Sequence, residues 1–182
     1  MKIIFGLVGE IASGKGTVSD YLIKKYNAKF YRMSAPLRDI LDRLHLEYSR
    51  ENMAKLSLIL REAFGQDLFF QVVSKDISKN KEAEFIVIDG IRRLSDIYSE
   101  KLPNFKLIYI DATIEKRFER LSKRGENPGD KEKTWEQFKK DNELESELQI
   151  RGLKEKADFV INNNGEAEEL YAKIDEIIKN LK

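Results

Sequence analysis

The residues best suited to chemistry stand together near the start of the chain. Residues 9–17 read Gly-Glu-Ile-Ala-Ser-Gly-Lys-Gly-Thr, between an apolar run and a helical pattern. Glycines let backbone N–H groups turn inward around phosphate oxygens, and the start of a helix adds partial positive charge there. Lys15 can reach the β- and γ-phosphates of a nucleotide, and Thr17 offers a hydroxyl to phosphate or to Mg²⁺. This spacing predicts a phosphate-binding loop, or P-loop. Its expected ligand contacts are Gly9, Ala12, Ser13, Gly14, Lys15, Gly16 and Thr17.

A phosphoryl acceptor would need a second anion site, and three segments could supply its arginines. Arg38 lies where a predicted strand gives way to a helix. Arg92 and Arg93 follow Asp89 at the end of an apolar strand, the edge at which open α/β sheets bind their ligands. Arg61 lies on a further helical pattern. Two alternatives stay open, since Asp89 could cap a turn and Arg61 could be an ordinary surface arginine.

Three more arginines follow the next predicted strand. Arg117, Arg120 and Arg124 are separated by three, four and seven positions, so a helix places them on a common face. Such a face could neutralise the charge of a phosphoryl group during its transfer. Ion pairing with Glu115 and Glu119 on the same helix is the alternative.

The charge density rises over one part of the chain. Residues 115–156 hold 12 Lys/Arg and 11 Asp/Glu. A solvated helical hairpin fits this composition, and so does a lid that folds charged side chains over a ligand. The lid interpretation covers about 115–155 and adds Arg151 as a further lid arginine.

Short apolar runs alternate with longer helical patterns along the whole chain. The predicted strands are Lys2–Val8, Ala28–Tyr31, Phe85–Asp89, Phe105–Asp111 and Asp158–Asn162. The predicted helices are Lys15–Tyr26, Ala35–Leu44, Glu51–Phe64, Asp67–Lys79, Thr113–Arg124, Thr134–Leu148 and Glu166–Leu181. Almost continuously apolar runs suit strands that are buried on both faces of a parallel sheet. The pattern predicts a three-layer α/β fold with about five parallel strands and helices on both faces.

The composition excludes several classes of protein. The 182 residues include 33 Lys+Arg and 32 Asp+Glu, a net charge of +1, whereas general nucleic-acid and membrane-surface binders are clearly basic. With no cysteine, the chain has no disulfide, thiol nucleophile or cysteine metal site. No apolar run is long enough for a transmembrane helix. We expect a cytoplasmic protein that binds neither membrane nor nucleic acid.

The Gly14-Lys15-Gly16-Thr17 version of the loop resembles adenylate kinase and the other nucleoside monophosphate kinases. Ala12 replaces the additional glycine that those enzymes usually carry. The resemblance implies a P-loop fold, ATP as the phosphoryl donor, and Mg²⁺ organised by Asp89 together with Thr17.

The same resemblance assigns roles to the arginines. It implies that Arg38 and either Arg92 or Arg93 grip the acceptor phosphate, with Arg92 slightly favoured, while Arg120 and Arg124 close from the lid. The segment before Arg38 is similar to that of deoxynucleoside monophosphate kinases, although Ala35 stands where those enzymes have an aspartate. Arg61 also lies in a segment that looks like one of theirs. The substrate-binding set that follows is Arg38, Arg61, Arg92 and Arg93.

The last predicted strand resembles that of dephospho-CoA kinases. Residues 157–165 read Ala-Asp-Phe-Val-Ile-Asn-Asn-Asn-Gly, and the resemblance places Asn163 beside the adenine. That family has an aspartate at the end of its second strand, and residues 30–34 contain none. Dephospho-CoA kinase activity therefore ranks second.

Together these patterns predict a single P-loop kinase domain over residues 1–182. The acceptor-binding helical region covers about 35–80. The predicted reaction is transfer of the ATP γ-phosphoryl group, with Mg²⁺, to a nucleoside or deoxynucleoside monophosphate. The alternatives are a dephospho-CoA kinase or other small-molecule kinase, and a nucleotide-dependent regulatory ATPase. The protein would act as a monomer or a homodimer.

Overall fold

The computed structural model describes residues 2–97, 102–124 and 132–182. The described residues form a five-stranded sheet in the order β2-β3-β1-β4-β5, and every neighbouring pair of strands is parallel. The strands are β1 Ile3–Val8, β2 Lys29–Arg32, β3 Phe85–Asp89, β4 Phe105–Asp111 and β5 Phe159–Asn162. The helices are α1 Lys15–Tyr26, α2 Ala35–Arg43, α3 Arg50–Phe64, α4 Leu68–Lys79, α5 Ile114–Arg124, α6 Trp135–Asn142, α7 Glu145–Gly152 and α8 Ala167–Leu181. The predicted three-layer α/β fold is confirmed.

The sheet is buried on both faces because successive strand residues point to opposite sides. On one face, Phe70 and Val73 of α4 pack in a cluster with Ile86 of β3. On the other face, α1 and α8 cover β1, and Leu22 and Ile174 lie in that core. All six residues of β1 are buried, as expected for the central strand.

One helix prediction is wrong. The structure divides the predicted helix Thr134–Leu148 into α6 and α7, because Leu144 adopts an extended backbone with φ −62° and ψ 144°. Thr134 starts α6 with a reciprocal pair of hydrogen bonds to Gln137 (2.9 and 3.2 Å). The Asn142 side chain donates back to the Phe138 carbonyl (2.6 Å) at the end of α6. Apolar periodicity runs through this break, so the pattern alone did not reveal it.

The parallel arrangement brings five strand ends to one edge of the sheet. The P-loop follows β1 at the centre, and Asp89 ends the neighbouring strand β3. Asp111 and Asn162 end β4 and β5 on the other side of the loop. This edge therefore collects the segments in which the sequence places its candidate site residues.

No helix within the described residues is long and apolar enough to cross a membrane.

Two phenylalanines test the core. Phe70 is fully buried against the sheet, whereas Phe64 is 67% exposed at the end of α3. We expect Phe70→Ala to lower the free energy of unfolding by about 3–5 kcal/mol, since it removes a packed ring and leaves a cavity. Phe64→Ala should change it by about 0.5 kcal/mol or less. Urea denaturation measures both, and equal losses would contradict the core described above.

Candidate functional site

The P-loop is a tight turn that sits between β1 and α1. Ser13 N donates to Glu10 O (3.1 Å), and Val18 N donates to Gly14 O (3.1 Å) as the helix begins. Gly14 has a φ of 109°, and a Cβ at this position would collide with the Asn163 amide. Ala12 has a φ of 60°, in the left-handed region that favours glycine. The loop therefore holds a conformation that its sequence alone does not favour at every position.

The Lys15 ammonium group lies over the loop. Its Nζ donates to the carbonyl oxygens of Gly9 (2.6 Å) and Glu10 (3.0 Å). The positive charge thus lies against the loop where the sequence predicts nucleotide phosphates.

Asn163 attaches the end of β5 to the P-loop. Its side-chain Nδ2 donates to Ser13 O (2.8 Å), and its backbone N donates to Asp111 O (2.7 Å). The side chain is only 5% exposed. Asn163 therefore holds the loop in place, in addition to lining the pocket beside it.

A pocket of about 230 Å³ opens beside the P-loop. Its lining residues are Gly14, Thr17, Arg120, Asn163, Gly165, Glu166, Ala167 and Leu170. A second depression of about 330 Å³ shares Gly14, Thr17 and Arg120 with it and adds Ala12 and Lys123. Arg120 Nη1 is buried with no hydrogen-bond partner among the described residues. A guanidinium with unused donor capacity in such a pocket is suited to an anionic ligand.

Sequence reasoning missed the part of this pocket that the start of α8 contributes. Glu166, Ala167 and Leu170 line it, and none of them belongs to a motif. The small residues Gly165 and Ala167 next to Asn163 were the available signal, because small side chains leave room for a ligand.

The structure separates Arg117 from Arg120, although the sequence predicts them on one lid face. Arg117 is 3% exposed and forms an ion pair with Glu10 inside the P-loop (Nη2 to Oε1, 3.2 Å). It also donates to Ala112 O (3.2 Å), to Ile11 O (3.3 Å) and to the Asn142 side chain (2.6 Å). Arg117 is thus a buried connector between the P-loop, α5 and α6.

The same Glu10 carboxylate binds a second arginine. Arg151 Nε lies 2.7 Å from Glu10 Oε1, and its Nη2 donates to Asn142 O (2.7 Å). Glu147 on α7 accepts a hydrogen bond from the backbone N of Ile11 (3.2 Å). The predicted lid arginine Arg151 therefore joins α6 and α7 to the P-loop. We call these residues, Glu10, Arg117, Asn142, Glu147 and Arg151, the P-loop clamp.

Burial shapes the electrostatics around this clamp. Burial lowers the pKa of Arg117, and the negative charges of Glu10 and Glu147 oppose that shift. Burial also raises the pKa of Tyr109 to about 12, and the Glu10 and Asp111 carboxylates act in the same direction. Tyr109 is therefore a neutral phenol at neutral pH.

On the other side of the P-loop, Asp89 lies at the end of β3. Its side chain is 26% exposed and is 3.6 Å from Arg32 Nε. Arg92 and Arg93 follow it with exposed side chains. Arg38 on α2 stacks its guanidinium over the Tyr48 ring (5.2 Å), and its Nε is buried without a partner among the described residues. With Arg32, the last residue of β2, four arginines thus lie near the carboxyl ends of β2 and β3.

Arg61 is connected to the Arg92–Arg93 turn through the buried carboxylate of Asp96. It is 7% exposed and pairs with Asp96 (2.8 Å), which is 2% exposed. The other Asp96 oxygen accepts hydrogen bonds from the backbone N of Arg92 (3.1 Å) and of Arg93 (3.2 Å). Arg61 also donates to the Gln66 carbonyl and lies over the Phe69 ring. Its guanidinium is committed to protein groups, one of which, Asp96, also binds the backbone of the Arg92–Arg93 turn.

Comparison with known proteins adds the family. Residues 8–139 match the AAA domain family (AAA_17). The chain is 30% identical over 181 residues to the UPF0200 protein of Methanocaldococcus jannaschii, covering 98% of this chain and 90% of that one. The chain belongs to the UPF0200 and AAA domain families.

Solved structures similar to this UPF0200 chain agree on its fold. The Thermus thermophilus protein TT1252 aligns with a TM-score of 0.68 at 17% identity, over 100% of this chain and 98% of that one. Shikimate kinase from Aquifex aeolicus aligns with a TM-score of 0.56 at 22% identity, over 97% and 96%. The prediction of a P-loop kinase-like protein is therefore confirmed for the family and the fold. The UPF0200 chain has a P-loop kinase-like α/β fold.

Two predicted features of this UPF0200 chain are outside what the structure describes. Arg124 ends α5, but its side chain lies outside the described residues, as do residues 125–131 of the expected lid.

Within the described ranges, no three His, Cys, Asp or Glu side chains form a group that could hold a metal ion. A Mg²⁺ ion commonly takes only one or two protein ligands when nucleotide phosphates supply others, so Thr17 and Asp89 fit that chemistry.

Two arginines on α5 separate stability from ligand binding. Arg117→Met should lower the free energy of unfolding by about 3–5 kcal/mol, because it breaks a buried ion pair and leaves Asn142 Oδ1 without its donor. Arg120→Met removes a side chain that lines the pocket, and we expect a change of about 0.5 kcal/mol or less. Urea denaturation of both variants checks this, and comparable losses would contradict the clamp.

Proposed function

We propose that this chain transfers the γ-phosphoryl group of ATP to the phosphate of a nucleoside or deoxynucleoside monophosphate. The observation that carries the proposal is a pair of buried guanidinium nitrogens without partners among the described residues, Arg120 Nη1 and Arg38 Nε. Arg120 follows β4 and Arg38 follows β2, so they flank the P-loop strand in the sheet order. Unused donors on both sides of a phosphate loop suit two anionic ligands.

The donor nucleotide would occupy the pocket beside Gly14 and Thr17. The P-loop N–H groups and the start of α1 would bind its phosphates. Lys15 would exchange the carbonyl oxygens of Gly9 and Glu10 for phosphate oxygens, while Arg120 meets the γ-phosphate from α5. Bound Mg²⁺, near Thr17 and Asp89, would supply charge neutralisation between the phosphates.

The acceptor phosphate would bind Arg38 together with Arg92 or Arg93. Because Asp96 and Arg61 order the backbone of that turn, Arg61 has a positioning role in this proposal and makes no direct contact with the substrate. An acceptor oxygen then attacks the γ-phosphorus, the bond to the β-phosphate oxygen breaks, and ADP leaves. The chain needs no nucleophile of its own for this step.

The lid, about 115–155, would close over the transferred group with Arg120 and Arg124. The P-loop clamp supports this idea, because it joins α5, α6 and α7 to the loop through Arg117, Asn142 and Arg151. Excluding water at this point would favour transfer to the acceptor over hydrolysis.

A cytoplasmic location remains a prediction from the composition.

A kinase with a hydroxyl acceptor is the second candidate. It is favoured by the whole-length structural similarity to shikimate kinase and by Asp89, a partly exposed carboxylate on the acceptor side. Such a carboxylate could accept the proton of a hydroxyl group. The AAA domain name also allows a regulatory ATPase, which would need neither a monophosphate acceptor nor a hydroxyl acceptor.

A coupled assay of ADP release separates these activities. We expect at least one nucleoside monophosphate to raise the rate about 10-fold or more above the rate without acceptor. Release that depends only on shikimate or dephospho-CoA would establish the second candidate. Equal release with and without every acceptor would refute both kinase proposals.

The same assay tests the P-loop lysine. Lys15→Ala should lower kcat by about 10²–10³-fold, because it removes the charge expected at the transferring phosphate. Lys24→Ala, an exposed lysine on the same helix, is the matched control and should leave kcat unchanged. Circular dichroism verifies folding, and equal activity of the two variants would contradict the donor site.

The acceptor site is tested with two arginines of α2. Arg38→Met should raise the KM for the acceptor about 10–100-fold and leave the KM for ATP within about 2-fold, because it removes a charged hydrogen-bond donor on one side only. Arg43→Met, exposed on the same helix, should change neither constant. A KM effect confined to ATP would assign Arg38 to the donor side.

A further inference from the structure

The outward face of α3 carries two large apolar side chains between opposite charges. Leu58 and Ile59 are 57% and 60% exposed. Lys55 and Glu62 are also exposed. Positions 55, 58, 59 and 62 follow the spacing i, i+3, i+4 and i+7, so they lie on one face of the helix.

The opposite side of the same helix already packs against the core. Met53, Leu56 and Leu60 are partly buried there. A helix that exposes a further leucine and isoleucine on its outer side has more apolar surface than its own fold uses. Exposed apolar surface rimmed by charge is typical of a protein–protein contact.

The order of Lys55 and Glu62 along α3 favours a second copy of the same helix, in antiparallel orientation, as the partner. Lys55 stands three positions before Leu58, and Glu62 stands three positions after Ile59. A two-fold axis between Leu58 and Ile59, perpendicular to the helix, therefore places each lysine opposite the glutamate of a second copy. A parallel pairing would instead oppose like charges.

We propose that two copies of the chain associate through this face, with their α3 helices antiparallel across a two-fold axis. Leu58 packs against Ile59 of the second copy, and Lys55 pairs with Glu62 of the second copy. The contact is isologous, since the same patch serves both copies. It is independent of the reaction proposed above.

The charges argue against other occupants. A lipid surface with anionic headgroups would favour an excess of basic residues, whereas this face presents one cation, Lys55, and two anions, Glu51 and Glu62. Lys55 already pairs with Glu51 on its own helix (3.1 Å), and its side chain remains 70% exposed. It can therefore approach a second carboxylate.

Light scattering and sedimentation equilibrium test the association over about a hundred-fold range of concentration. The wild type should be a concentration-dependent dimer. Ile59→Asp should raise the dimer dissociation constant about 100-fold or more, because it buries a carboxylate at the centre of the contact. Leu148→Asp, a leucine 51% exposed on α7, is the matched control and should leave the constant unchanged.

A charge exchange tests the antiparallel register. Glu62→Lys alone should weaken the dimer about 10-fold, since it opposes two lysines, and Lys55→Glu alone should also weaken it. The double variant Lys55→Glu/Glu62→Lys should recover the wild-type constant to within about 3-fold. Circular dichroism and thermal midpoints verify that each variant is folded.

Three results would overturn the proposal. One is a wild type that stays monomeric at every concentration. If Ile59→Asp then raises the KM for an acceptor, the face belongs to ligand binding, and the dimer proposal is still overturned. Another is a dimer that Ile59→Asp leaves intact or that Leu148→Asp weakens equally. The third is a double charge variant that associates no better than the single ones.

Discussion

One buried carboxylate inside the P-loop determines how α5, α6 and α7 are held against that loop. Glu10 is 8% exposed and is paired with Arg117 and Arg151. A buried charge is costly unless it is paired and hydrogen-bonded, so these two arginines must come from segments that reach the loop. They belong to α5 and α7, and Asn142 at the end of α6 binds both. Three helices that follow β4 are therefore held against the phosphate loop by the need to satisfy one carboxylate.

A second buried carboxylate, Asp96, orders the side of the sheet that we propose binds the acceptor. Asp96 is almost fully buried, pairs with Arg61, and accepts hydrogen bonds from the backbone of Arg92 and Arg93. Glu10 thus pairs with two arginines and Asp96 with one, and these three arginines hold the neighbouring loops in place. Among the described residues, Arg38 and Arg120 each have a buried guanidinium nitrogen without a hydrogen-bond partner. Arg38 follows β2 and Arg120 follows β4, on either side of the P-loop strand β1 in the sheet order. Burial, which is a property of the fold, thus decides which arginines are committed to protein groups.

The elements were largely predictable because they depend on local pattern. Apolar runs indicated all five strands, and the helical patterns indicated most helices to within a residue. The break at Leu144 escaped detection because it is accompanied by tertiary hydrogen bonds from Arg117 and Arg151 to Asn142, while the residues around it have ordinary helical propensity. Arg117 and Arg120 were indistinguishable by spacing, since three positions on a helix differ in facing by a modest angle. Only the packing of α5 against the P-loop buries one and leaves the other beside the pocket.

By itself, the sequence determined the phosphate loop, the parallel sheet and the edge at which charged residues gather, because glycine spacing and strand burial are local constraints. The tertiary structure decided which of those residues are buried and committed to other protein groups. It also brought Asn163 against Ser13, and Glu147 against Ile11, across more than a hundred positions of chain. No local pattern encodes such contacts, since they arise only when separate elements pack and their buried polar groups must find partners.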